Sequence, residues 1–193
     1  TQPTPSSKPH STSWGSHSPK RCNPINTIYM IAILHNIRSM HNVGSIFRTA
    51  DAAGIEKIYL CGITPAPVDT FGRPRMQITK VALGAEKFVE WEKLGSSMPL
   101  ITRLKVQGYK ILTIEQSKKS TPYYKIPKSY TQNPKICLVV GGEIEGLPSS
   151  ILSRADKIIE IPMYGEKESL NVAVAFGIVA FHLVVYTKKV SSK

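Results

Sequence analysis

Five short, β-rich apolar runs recur along the chain: Ile28–Leu34, Lys57–Cys61, Tyr109–Glu115, Ile136–Val140 and Lys157–Ile161. Runs of this length and composition read as buried strands, and the stretches between them are long enough for helices. Strand and helix in alternation predict an α/β domain with a mostly parallel sheet flanked by helices. Asn42 can cap a helix that runs to Ala53 and stops at Gly54. Ser97–Gln107 reads as a helix ended by Gly108, Pro148–Arg154 as a short one with proline at its start, and Ser169–Thr187 as the last. Ser169 is a natural N-cap there. Gly62–Lys80 and Gln116–Lys135 read as long loops. Residues 1–26 are rich in Ser, Thr, Pro and His and lack a hydrophobic period. They read as a flexible tail, which leaves 27–193 as the folded domain.

Charge narrows the class of partner. Lys and Arg number 25 against 13 Asp and Glu, a formal net charge of +12, and residues 1–50 carry no acid at all. Such an excess favours a polyanion, because each neutralised phosphate releases condensed counterions. The plainer alternative is a basic solvated surface. Cys22, Cys61 and Cys137 are odd in number and form no CxxC pair, which argues against a disulfide framework and a zinc site. His35 and His41 fit no metal spacing either, so no metal is expected. A reducing compartment fits, and with no secretory signal visible a cytoplasmic location is expected. The longest apolar stretch, Leu170–Tyr186, is interrupted by Asn171, Gly177 and His182 and is shorter than the ~20 residues of a membrane span, so no membrane partner is expected.

In an open parallel sheet, ligands bind outside the carboxyl ends of the strands. The loops 115–135, 141–147 and 162–169 meet that condition, and each carries unusual residues. Val140 leads into Gly141-Gly142-Glu143-Ile144-Glu145-Gly146-Leu147, a turn whose glycines would let a ligand approach the backbone. It has neither dinucleotide nor Walker spacing, and a plain tight turn is the alternative. Ile161-Pro162-Met163 is followed by Ser169-Leu170-Asn171, where Ser169 could simply cap a helix. Asn171 opens an otherwise apolar helix, and a buried amide there needs partners. A third cluster joins Asn36-Ile37-Arg38, Asn42-Val43-Gly44 and Arg48. Arg48 could pair with Asp51 or Glu56, or bind a phosphate bidentately. Lys118, Lys119, Lys125 and Lys128, interleaved with Tyr123, Tyr124 and Tyr130, have the composition of a nucleic-acid surface or of a mobile solvated loop. Arg73 and Arg75 read similarly.

Taken in order, the three clusters resemble the signature motifs of SpoU-type (TrmH-like) methyltransferases of the SPOUT superfamily. They are Asn36-Ile37-Arg38 through Asn42-Val43-Gly44-Ser45-Ile46-Phe47-Arg48-Thr49-Ala50, then Gly141 to Pro148, then Ile161-Pro162-Met163 through Ser169-Leu170-Asn171-Val172-Ala173. The resemblance spans about residues 27–187. It implies a C-terminal trefoil knot, a homodimer, and S-adenosylmethionine held by Ile114, Glu115, Gly141, Gly142, Gly146, Ile161, Met163, Ser169 and Leu170. It places Arg48, Asn42, Glu143, Ser169 and Asn171 around a reacting ribose. The expected activity is methylation of a ribose 2′-hydroxyl in structured RNA, tRNA first, with ribosomal RNA or a catalytically inactive RNA-binding scaffold as alternatives. Arg38, Arg73, Arg75, Lys118, Lys119, Lys125 and Lys128 would contact the RNA. A nucleotide-dependent oxidoreductase is a distant third reading, since it requires a dinucleotide fingerprint after the first strand and His35-Asn36-Ile37-Arg38 is not one.

Overall fold

Side chains alternate across each strand, and both faces of the sheet are covered. The computed structural model describes residues 29–131 and 135–190, so the segment 1–26 lies outside the described residues. The strands are β1 (Tyr29–His35), β2 (Lys57–Cys61), β3 (Glu90–Leu94), β4 (Lys110–Ile114), β5 (Thr121–Pro122), β6 (Lys135–Val140) and β7 (Lys157–Glu160). They form one sheet in the order β3-β2-β1-β6-β4-β7-β5, with every neighbouring pair parallel. The helices are α1 (Met40–Ala53), α2 (Met76–Ala82), α3 (Ser97–Val106), α4 (Lys128–Thr131), α5 (Ser149–Leu152) and α6 (Val172–Val190).

One face of the sheet presents Met30, Ala32, Leu34, Leu60 and Leu138 to Phe47 of α1, Ile78 of α2 and Phe176 of α6. The other presents Ile31, Ile33, Cys137 and Val139 to Leu100, Ile101 and Leu104 of α3 and Ile151 of α5. This two-sided burial is why the strands read as continuous apolar runs. Each fully buried Leu, Ile or Phe contributes roughly 1.5–3 kcal/mol relative to exposure. The expected parallel α/β sheet is therefore present, with all five predicted strands in place. Among the described residues no helix is long and apolar enough to cross a membrane.

Four elements have no counterpart in the sequence reading. Helix α2 begins inside the expected loop Gly62–Lys80. Its first turn has no side-chain cap, and only Ile78 and Ala82 are buried. Strand β3 is Glu90-Trp91-Glu92-Lys93-Leu94, a charged edge strand with little apolar signal. It is held to β2 partly by Lys57, whose ammonium lies 2.7 Å from Glu90 and 3.0 Å from Glu92. The expected loop Gln116–Lys135 also contains β5 and α4.

Both predicted caps are displaced. Ser39, not Asn42, caps α1, its hydroxyl accepting the Asn42 N–H at 3.2 Å. Asn171, not Ser169, caps α6, its carbonyl oxygen accepting the Ala173 N–H at 2.8 Å. In each case two cap-competent residues lie close together, and the path of the preceding loop chooses between them. The shift at α1 leaves the Asn42 side chain available for other work.

Helices α1 and α2 touch at Gly44. A Cβ there would stand 2.7 Å from the Ile78 carbonyl oxygen and 2.9 Å from the Val81 Cβ. Alanine gains up to about 1 kcal/mol of helix propensity over glycine, but the obstacle includes backbone that cannot swing away. Gly44→Ala is expected to be net destabilising by about 1–3 kcal/mol, read as a lowered midpoint in urea denaturation.

Candidate active site

Because all strands are parallel, their carboxyl ends share one edge, and β6, β4 and β7 are adjacent along it. The loops leaving these three strands enclose a cleft of about 540 Å³, within the ~300–1,000 Å³ typical of small-molecule sites. Ile114 and Glu115 enter it from β4, Gly141, Gly142 and Gly146 from the turn after β6, and Ile161 and Met163 from β7. Ser169 and Leu170 close it ahead of α6. All nine residues assigned to a cofactor from the sequence thus line one space.

The turn after β6 is packed without room for side chains. A Cβ on Gly141 would lie 2.7 Å from the Leu147 nitrogen and still nearer to Gly146, and one on Gly142 would lie 2.6 Å from the Asn36 carbonyl oxygen. Glu115 locks the turn from β4. Its carboxylate accepts the N–H of Leu147 at 2.8 Å and that of Gln116 at 3.0 Å. Gln116 in turn donates to the Glu168 carbonyl at 2.6 Å, tying the third loop to the first.

Electrostatics restrict what can bind. Among the described residues, the cleft wall holds Glu115, Glu143, Glu145 and Glu160 and no Lys or Arg. On a chain with a +12 excess, this edge is locally acidic. Such a wall repels a pyrophosphate and favours a cationic ligand. The apolar Ile114, Ile161, Met163 and Leu170 suit a flat heterocycle, and the glycine turn suits close backbone contact.

A polar chain runs from the cleft to α1. The Glu143 carboxylate accepts the backbone N–H of Arg38 at 3.1 Å and of Ser39 at 3.2 Å, and the Asn42 amide at 2.8 Å. Burial pushes its pKa up, but the Asn42 amide and these N–H groups outweigh burial and hold it below the ordinary carboxylate value. Asn42 is buried, and its carbonyl oxygen accepts from the Asn171 amide at 3.0 Å. Glu143, Asn42 and Asn171 therefore form one connected network, and Ser169 lies two residues from it.

Arg48 stands apart. It is exposed on α1 and does not line the cleft, and its side chain makes no hydrogen bond or ion pair with any described residue. The pairing with Asp51 or Glu56 weighed from sequence does not form. The basic residues assigned to RNA are not gathered into one cluster. Arg38 lies 3.7 Å from Glu145, and Arg73 contacts Asp69 at 2.9 Å. Arg75 donates to the Val68 carbonyl at 3.3 Å. Lys118, Lys119 and Lys125 are exposed on the segment between β4 and α4, and the Lys128 side chain lies outside the described residues.

Sequence reasoning missed Ser39 and Glu160. Ser39 anchors Glu143 through its backbone, which leaves no sequence signal. Glu160, the last residue of β7, lines the cleft and accepts a hydrogen bond from Ser120. A charge closing a strand was the available clue. Among the described residues there is no group of three or more His, Cys, Asp or Glu that could hold a metal.

Fold and site together define a cofactor-binding α/β domain whose cleft, at the carboxyl edge of a parallel sheet, is shaped for a cation rather than a phosphate. The model of the SpoU rRNA Methylase family matches residues 29–181, and the chain belongs to that family. The tRNA (guanosine(18)-2'-O)-methyltransferase of Aquifex aeolicus is 33% identical over 152 residues, 79% of this chain and 67% of that protein. A Bacillus subtilis 23S rRNA (guanosine(2553)-2'-O)-methyltransferase is 31% identical over 159 residues, 81% of this chain and 58% of the relative. The crystal structure of an AdoMet-bound rRNA methyltransferase from Sinorhizobium meliloti superposes with a TM-score of 0.72 at 26% identity, covering 82% of this chain and 56% of that one.

Proposed function

We propose that the chain transfers a methyl group from S-adenosylmethionine to a ribose 2′-hydroxyl of structured RNA, tRNA first. The observation that carries this reading is the acidic, glycine-walled cleft joined to the Glu143–Asn42–Asn171 network. When bound, S-adenosylmethionine supplies an electrophilic methyl on a cationic sulfur, and the four carboxylates of the wall favour that charge. Gly141, Gly142 and Gly146 give it backbone contact, while Ile114, Ile161, Met163 and Leu170 cover its base.

As the acceptor oxygen bonded the methyl carbon, the carbon–sulfur bond would break to leave a neutral thioether and the hydroxyl proton would pass to water, so catalysis here is alignment plus stabilisation of developing negative charge. Asn171 and Ser169 position the ribose, and Asn42 and Glu143 hold Asn171 in place. Arg48, exposed and unpaired within the described residues, is free to clamp a substrate phosphate from the RNA side. A guanidinium stays protonated, so orienting that phosphate is its role. Arg48→Ala is expected to lower methyl transfer about 100- to 1,000-fold, the range for losing one charge-stabilising donor. Cofactor affinity, measured by calorimetry, should not move. Full turnover in this variant would remove Arg48 from the site.

The same reading includes the homodimer and the C-terminal knot that the family resemblance implies. In support of pairing, Val174, Phe181 and Val185 are 50%, 43% and 50% exposed along one side of α6, an apolar stripe with nothing described over it. Buried free Cys61 and Cys137 suit a reducing, cytoplasmic setting.

The test is transfer from labelled cofactor into bulk tRNA and into rRNA, followed by mass-spectrometric mapping of ribose methylation. Methyl in tRNA is the expected result. Methyl in rRNA alone would change the substrate, as the Bacillus subtilis relative would lead one to anticipate. No transfer into either, with cofactor bound, would leave an RNA-binding scaffold.

A further inference from the structure

The segment between β2 and α2 contains a turn far better built than a connector needs. Its centre is Asp69. One carboxylate oxygen accepts the N–H groups of Phe71 at 2.8 Å and Arg73 at 2.9 Å, and the other accepts Arg73 Nε at 2.9 Å. The Asp69 N–H donates to the Arg73 carbonyl at 2.9 Å, and the Arg75 N–H to the Pro67 carbonyl at 2.8 Å. Val68 and Pro74 pair as an antiparallel bridge. What this frame holds up is Phe71, 80% exposed, with the Arg73 guanidinium carbon 5.0 Å from its ring centroid.

An aromatic ring this exposed contributes little to the core. The turn fixes the backbone beneath it, so part of the entropic cost of presenting the ring is already met. Arg73 covers one side of the ring and leaves the rest open. The setting is basic, with Arg73 and Arg75 flanking a single acid that Arg73 already neutralises. The turn also belongs to the edge that carries the cleft. Strand β2 ends at Cys61, paired with His35 at the end of β1. Two residues on, Ile63 lines a second cavity of about 310 Å³ together with Gly142–Gly146.

Resting on the reading of the chain as an RNA methyltransferase, we propose that Phe71 is a stacking platform for an unpaired base of the RNA substrate, with Arg73 and Arg75 toward the flanking phosphates. Duplex RNA hides its base faces, so this contact selects a nucleotide turned out of a helix, in a loop or bulge. Phenylalanine offers no hydrogen bond, so the platform reads unpaired structure and not base identity. A protein partner would need a broader apolar surface than one ring beside Gly72 and Arg73.

The experiment measures, with the full chain, binding of bulk tRNA and of a fully paired RNA duplex by fluorescence anisotropy, alongside steady-state methyl transfer. Stacking on one aromatic is worth about 1–3 kcal/mol, so Phe71→Ala should weaken tRNA binding roughly 5- to 100-fold. KM for tRNA should rise with kcat and cofactor affinity unchanged, duplex binding should be unaltered, and Phe71→Trp should restore the affinity. Unchanged tRNA binding, equal loss on duplex and tRNA, or a change in oligomeric mass in the Phe71→Ala variant would each overturn the platform. If the wild-type chain binds tRNA through Phe71 but transfers no methyl, the enzymatic reading falls and the platform stands. If it binds no RNA, both fall.

Discussion

Gly141→Ala should all but abolish cofactor binding, lowering affinity for S-adenosylmethionine by about 100-fold or more, equivalent to roughly 2.7 kcal/mol. The added methyl would sit 2.7 Å from the Leu147 nitrogen and closer still to Gly146. Both obstacles are backbone of the same turn, so no side chain can rotate aside. The turn can yield only by opening, and opening pulls Leu147 off the Glu115 carboxylate that links β6 to β4. Overpacking of this kind costs about 1–3 kcal/mol, so the melting temperature should fall as well. Gly165 supplies the control. It lies in the neighbouring loop and an added Cβ there meets nothing within 4 Å, so Gly165→Ala should bind cofactor normally. Normal binding by Gly141→Ala would show that the turn is not the ligand's wall.

The second large effect belongs to Glu143→Gln, a change that preserves shape. Both carboxylate oxygens already accept from N–H groups, one from Ser39 and Asn42, the other from Arg38. Whichever way glutamine is placed, its NH₂ faces a donor. The lost charge-assisted bonds are worth about 1.5–3 kcal/mol each in favourable cases, and much of that is screened at this exposed carboxylate. Stability should fall by about 1–2 kcal/mol. Methyl transfer should fall more, by about 100-fold, because Asn42 loses the partner that fixes Asn171, the side chain proposed to position the ribose. The pH dependence has a definite sign. A carboxyl whose folded pKa is depressed stabilises the protein above its unfolded pKa, and the contribution disappears as pH falls through the folded value. The wild type should therefore exceed Glu143→Gln in stability by a constant amount above about pH 5, and the gap should close in stronger acid. A gap that persisted in strong acid would mean that Glu143 acts through packing and not through its charge.

Much of this architecture is written locally. β1 and β6 are legible because both faces of each are buried, so no polar alternation interrupts the run. The cleft is legible because Gly141, Gly142 and Gly146 follow a buried strand directly. Other parts depend on partners far away in the chain. Asn42 looks like a helix cap until Ser39 takes that task, and its bond to Glu143 joins positions 101 residues apart. Strand β3 escapes notice because Glu90-Trp91-Glu92-Lys93-Leu94 is an edge strand with three charges in five residues, stabilised by β2 and not by its own composition. Arg48, expected at the reacting sugar, is exposed and does not line the cleft of its own chain, and nothing local in the sequence shows that Asn42 and not Arg48 faces Asn171.

The position of β6 between β1 and β4 has a consequence for biosynthesis. A nascent chain on the ribosome that has reached residue 134 possesses β1, β2 and β3 on one side and β4 on the other, with no strand to join them. The seam closes only when 135–140 emerge, so the early product carries two open edges able to recruit other chains. Maturation should be slow and chaperone-sensitive, as expected when the decisive pairings link distant parts of a polypeptide.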